Sequence, residues 1–197
     1  MTSDGRRRQL EHKQMRVLRR LPAGELLTAW GRHEALGRFR DEIPPDILQL
    51  IEEDRAEGRE HALAHGILKR APVIAAVQAA YPTLVVEIEV TGNDLDDLQV
   101  MCRPTDPPRR LAAHAEALLA APGDEADHAR NLAAGEMPVV GPFVAVARTV
   151  PGPLTIVDGV HRGSAWVAHL RAGRHYPLAV AVILTLYRTV FESAEET

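Results

Sequence analysis

Cysteine is nearly missing from this chain of 197 residues, where Cys102 stands alone. A single thiol excludes an intrachain disulfide and any multi-cysteine zinc site, and it agrees with a reducing cytoplasm. Aromatic residues make up only 4%, so alanine, leucine and valine must fill the core, a composition that favours helices. The formal charge of −4 gives no overall attraction to nucleic acid or to an anionic membrane. No apolar run approaches the roughly 18 residues needed to span a bilayer. Arg6-Arg7-Arg8 resembles the start of a signal peptide, but the apolar segment that should follow is missing from Gln9 to Met15. There is no internal repeat and no low-complexity tract. What is present, 46% hydrophobic and 25% charged residues, is ordinary globular material expected to be soluble and cytoplasmic.

Along the chain, residues 1–22 are rich in arginine and poor in large apolar side chains, and read as a basic arm, solvated or held against an acidic partner or nucleic acid. A helical region is expected over 23–82. Leu26, Leu27, Trp30, Leu36 and Phe39 fall near helical spacing, Pro44-Pro45 ends that helix and seeds the next, and 46–70 reads as one long amphipathic helix. A further helix is expected from Pro72 to Tyr81. The period then changes. Leu84 to Val90 alternates with period two, Thr91-Gly-Asn-Asp94 reads as a hairpin turn, and Leu95 to Cys102 as the returning strand. Helices follow over 109–121 and 124–134, then an apolar β-rich stretch over 137–149, a strand over 154–157, a helix over 162–172 with Gly173 just past its end, and a buried strand over 176–185. Residues 83–190 thus form an α/β region, and the acidic 191–197 should fray.

Chemistry shows most clearly at Asp158-Gly159-Val160-His161-Arg162-Gly163-Ser164, where a β-branched strand runs into the start of an alanine-rich helix. A helix N-terminus presents N–H groups and the positive end of the peptide dipole to a phosphate or carboxylate. Gly159 allows a tight turn and close approach, with Gly163 doing the same one turn later, and Ser164 offers a hydroxyl. Arg162 supplies a planar fork for phosphate oxygens. Asp158 can orient a metal ion or take a proton from an attacking hydroxyl, and His161 can serve as acid, base or phosphate donor. The competing reading is plain: Asp-Gly is a common turn, Asp158 caps the helix, and His161 and Arg162 lie on its surface.

From Gly159 to Trp166 the chain resembles the ParB/sulfiredoxin superfamily, whose small α/β module carries a Gly-x-His-Arg type motif at a strand-to-helix turn. Looser likenesses surround it: Leu98 to Pro104 and the helix after it, Met137 to Val140 with Phe143 to Ala147, and Tyr176-Pro177-Leu-Ala-Val180. The resemblance covers roughly residues 95–186. Together with the helical N-terminal half read from spacing, it gives an expected α+β chain in which a small ParB/sulfiredoxin-like α/β module with a mixed sheet follows that half. It also implies a bound nucleotide, ATP, ADP or CTP, together with magnesium. Gly159, Arg162, Gly163, Ser164 and Arg103 would hold phosphates, and Asp158 with His161 matches the Asp-Gly-x-His-Arg form of the free-serine kinases. The partners implied are the nucleotide and a small-molecule acceptor.

Departures from the family narrow the choice. Sulfiredoxins carry their reactive cysteine where this chain has Val160, which excludes thiol chemistry at that position, and Cys102 reads as a small core residue. Partition proteins continue into a helix-turn-helix domain after the module, whereas Leu186 to Thr197 follow it here, so a nucleotide switch that binds DNA or a protein is the lesser expectation. A non-catalytic scaffold is a third. Asn93 to Asp97 lacks the order of a calcium loop and reads as a solvated turn, and His61 and His65 read as surface histidines. Glu87 and Glu89 share one face of a strand, solvated or offering a general base, for which Glu136 competes.

Overall fold

A computed structural model describes residues 15–37, 40–67, 84–102, 107–139, 141, 143–150 and 152–184. The expected helix over Pro72–Tyr81, residues 1–14 of the expected arm, Arg103 and the acidic end lie outside them. The chain is α+β, with a seven-stranded mixed sheet and a partly helical N-terminal region. The strands are β1 (Arg16–Leu21), β2 (Leu84–Val90), β3 (Leu98–Val100), β4 (Arg109–Arg110), β5 (Phe143–Ala147), β6 (Leu154–Asp158) and β7 (Leu178–Leu184), in the sheet order β1-β2-β7-β5-β6-β3-β4. Two compact units are distinguished, one of residues up to Arg19 and Val86–Val182, the other of Arg20–Val85 and Ile183 onward.

The second unit carries α1 (Ala23–Leu36), α2 (Pro45–Glu52) and α3 (Ala56–Ile67). Pro45 opens α2 as its sequence predicts, because the ring sets φ where no amide partner is needed. The long helix expected over 46–70 is broken, however. Asp54 adopts a left-handed φ of 57°, Arg55 N–H turns back to the Leu50 carbonyl at 2.9 Å, and a new helix begins at Ala56. Aspartate tolerates that conformation better than most residues, and Arg32 and Arg59 lie 3.8 and 3.7 Å from its carboxylate. The break lets α2 and α3 fold back on each other around Ala35, Ile43, Ile51 and Ala62.

The first unit holds most of the sheet, together with α4 (Leu111–Ala120), α5 (Asp124–Ala134) and α6 (Val160–Arg171). Strands β5 and β6 are buried along their whole length, as the unbroken apolar run of β5 requires of a strand covered on both faces, and β6 carries the polar Thr155 and Asp158 into the interior with it. They pair antiparallel, with a register irregularity at Val144/Ala145. β6 pairs parallel with β3, Val100 opposite Ile156. Two expectations are corrected here. β2 and β3 are not a hairpin: a 3-10 helix over Gly92–Asp97 joins them, Thr91 and the buried Asp94 close a capping box at its start, and β7, β5 and β6 lie between the two strands. The expected basic arm instead supplies β1, whose Arg16 and Arg19 bond Glu89 and Glu87 at 2.8 Å each. That pairing accounts for both glutamates and draws the two arginines into the sheet.

α6 packs on both α4 and α5, and Trp166, completely buried, donates its indole N–H to the Tyr176 carbonyl at 3.0 Å. Buried His169 faces the Ala133 carbonyl through Nε2 at 3.0 Å and the Tyr176 hydroxyl through Nδ1 at 2.6 Å. Since a carbonyl only accepts, Nε2 carries the proton and Nδ1 accepts from the tyrosine, whose oxygen accepts in turn from Val139 N–H at 3.0 Å. This chain fastens the segment after α5 to the end of α6. Tyr176→Phe leaves the buried Nδ1 and an amide without partners and should cost about 1–3 kcal/mol, read as a lower urea midpoint with unchanged slope.

Candidate functional site

β3 and β6 run parallel, so Cys102 and Asp158, each two residues past the paired Val100 and Ile156, lie at the same end of the sheet. Open α/β sheets place their ligands at such carboxyl ends. Gly159 turns the chain into α6 with φ 87° and ψ 20°, a left-handed conformation in which a side chain is strained. Among the described residues no side chain caps this helix. The first intrahelical bond runs from Gly163 N–H to the Gly159 carbonyl at 2.7 Å, and the amides before it belong to the orphan donors of any helix start.

Apart from Arg103, which lies outside the described residues, each residue expected at the site has a definite place. Asp158 and Arg162, with side chains only 6% and 14% exposed, form an ion pair at 3.2 Å. The Arg162 guanidinium also lies over the Phe143 ring, 5.6 Å from its centre. Asp158 is thus placed to orient Arg162, and taking a proton there would cost the pair. Gly159 is needed for its backbone and its packing: a Cβ there would sit 2.9 Å from Phe143 and 3.4 Å from Arg162. Its bare side faces the protein, and the approach it allows is that of Phe143. Gly163 likewise lies against Leu111 and Ile156, letting α4 come close to α6. Ser164 is fully buried and its hydroxyl donates to the Val160 carbonyl at 3.0 Å, inside its own helix. His161 is partly exposed at the first turn of α6.

The fold brings further groups to this turn. The ring of His128, exposed on α5, meets that of His161 edge-on with centres 5.6 Å apart. His114, half-buried on the first turn of α4, is held below its ordinary pKa of 6.5, first by burial and then by the charges of His161 and Arg109, with Glu125 opposing. Cys102, expected in the core, is exposed instead, its Sγ 3.9 Å from His114 Nδ1 and 4.0 Å from Nε2. The reason is local: β3 ends at Val100, and the chain leaves the sheet after Met101, whose N–H bonds the Ile156 carbonyl at 3.1 Å. Sequence reasoning passed over His114 and His128 because alanine-rich helices display no chemistry until packing turns their polar faces together. The one available signal was an isolated histidine near the start of each helix.

Helix amides and imidazoles gather at this end of the sheet, groups whose chemistry suits an anion. Magnesium fits less well, since it needs oxygen ligands and Asp158, the carboxylate at this turn, is taken by Arg162. Among the described residues no three His, Cys, Asp or Glu side chains are arranged to hold a metal ion, and no helix is long and apolar enough to cross a membrane. Comparison of the chain with protein-family models, with curated proteins and with solved structures finds no match.

Proposed function

We propose that this chain binds a nucleotide by its phosphates at the start of α6 and transfers a phosphoryl group to a small-molecule hydroxyl. The observation that carries the reading is the meeting of an uncapped helix N-terminus with three imidazoles, His161, His114 and His128, at the carboxyl ends of parallel β3 and β6. The amides and the helix dipole offset phosphate charge, and Arg162 is held at the first turn by Asp158. His161 donates to a phosphate oxygen or to the leaving group. The likeness of Asp158-Gly-Val-His-Arg162 to the free-serine kinases supports the kinase form of this reading over a passive scaffold.

A thermal-shift series with ATP, ADP and CTP, each with magnesium, tests it. At a hundred-fold excess over Kd a ligand stabilises by about 2.7 kcal/mol, which for a chain of this size raises Tm by roughly 5–10 °C. His161→Ala removes a partly exposed ring without disturbing the core, and should reduce the shift while leaving the ligand-free Tm unchanged. The absence of a shift with every nucleotide refutes the reading.

A further inference from the structure

Phosphoryl transfer to a hydroxyl releases a proton, and the carboxylate expected to take it is committed. Asp158 is buried against Arg162, and protonating it would weaken that ion pair. The proton acceptor must therefore be sought among the groups packed around the start of α6. Of these, His161 is needed as a donor to phosphate, and His128 is an exposed ring touching it from α5.

We propose that His114 is the general base of this site, taking the proton of the acceptor hydroxyl as it attacks the γ-phosphorus. The inference rests on the phosphoryl-transfer reading above. His114 sits on the first turn of α4, against which α6 packs. The groups that act on it come from every side: His161 from α6, Arg109 from β4, Glu125 from α5 and the Cys102 thiol beyond β3. Burial, His161 and Arg109 together outweigh Glu125, so the pKa of the ring is lowered and its lone pair is kept on offer to a lower pH. The positive charge of Arg109 would help to stabilise the negative charge gathering on the acceptor oxygen. In the step itself, the acceptor oxygen bonds to phosphorus while its O–H proton passes to His114. The bond from phosphorus to the β,γ-bridging oxygen breaks, and the nucleoside diphosphate leaves with that electron pair. With water as acceptor, the same step yields inorganic phosphate.

That last case supplies an assay needing no knowledge of the acceptor: release of inorganic phosphate from ATP and from CTP by the full chain, with nucleotide Kd measured in parallel. Wild-type kcat should fall as pH drops through the lowered pKa of His114, because protonation removes the lone pair. His114→Gln should lower kcat about 10²–10⁴-fold, a far larger change than any in Kd, and abolish the acidic limb. Added imidazole should restore part of the activity of His114→Ala, which a merely structural role would not allow. Wild-type binding without turnover, a missing acidic limb, or a His114→Gln variant that keeps its rate overturns the assignment while nucleotide binding stands. Failure to bind either nucleotide overturns the underlying reading, and the assignment falls with it.

Discussion

Gly58→Ala should destabilise the helical unit by about 2 kcal/mol, a large effect for a single methyl group. Gly58 lies in the first turn of α3, where that helix folds back on α2. A Cβ at this position would stand 2.3 Å from the Leu50 carbonyl carbon, 2.4 Å from its oxygen and 2.6 Å from Ile51 N. All three are backbone atoms, so no rotamer relieves the clash and one helix must move. Helix propensity works the other way, since alanine is favoured over glycine by about 1 kcal/mol in a helix interior. Overpacking costs about 1–3 kcal/mol where side chains can adjust, and sometimes more. Backbone-to-backbone contact belongs at the upper end, so the clash wins.

Gly24→Ala is the matched control, because nothing lies within 4 Å of the Cβ it would gain near the start of α1. It should leave stability unchanged or raise it by a few tenths of a kcal/mol, the entropy of the unfolded chain being reduced. Urea denaturation followed by far-UV circular dichroism compares the two. If Gly58→Ala proves as harmless as Gly24→Ala, α2 and α3 do not cross at this glycine.

The contrast between these glycines marks what a sequence can display. A helix near Gly58 was legible from spacing, but the reversal at Asp54 was hidden in a charged stretch, Glu52 to Arg59, that reads equally well as continuous helix. Only the packing of Ile51 against Ala35 and Ala62 makes the break pay off. β1 was hidden for a related reason. Arginine in Arg16-Val-Leu-Arg-Arg-Leu21 signals a solvated arm until Glu87 and Glu89 are found opposite it on a neighbouring strand. Period two revealed Leu84 to Val90 as a strand, but pairing is a long-range choice, and local turn chemistry at Thr91 to Asp94 suggested the wrong partner for β3. By contrast α5, β6, α6 and the glycine after α6 were read almost to the residue, because caps and turns are local signals. The candidate site divides the same way. The turn from Asp158 to Ser164 was visible, whereas His114, His128 and an exposed Cys102 come from helices and a strand end that meet it only after folding.

Asp158→Ala should cost about 3–5 kcal/mol, the largest loss expected from any polar substitution in the first unit. It removes one partner of a pair whose side chains are 6% and 14% exposed, and the guanidinium left behind must stay charged in a largely dry place. Arg162→Ala should be nearly as harmful, since it strands the carboxylate and strips the Phe143 ring of its covering cation. Replacing both together by apolar residues of similar volume, Asp158→Leu with Arg162→Met, should be less harmful than either single alanine, because no buried charge is then left without its counterpart. The three variants and the wild type, compared by chemical denaturation, test whether the pair acts as a unit; additive losses would refute that. The same logic governs any functional use of Arg162. A loss of nucleotide binding in Arg162→Ala would mix a missing phosphate ligand with a broken ion pair at Asp158 and a loosened start of α6. The double variant separates them. If its stability recovers while nucleotide affinity stays low, Arg162 meets the phosphates itself; if affinity recovers with stability, the arginine serves the turn and the amides of α6 carry the ligand.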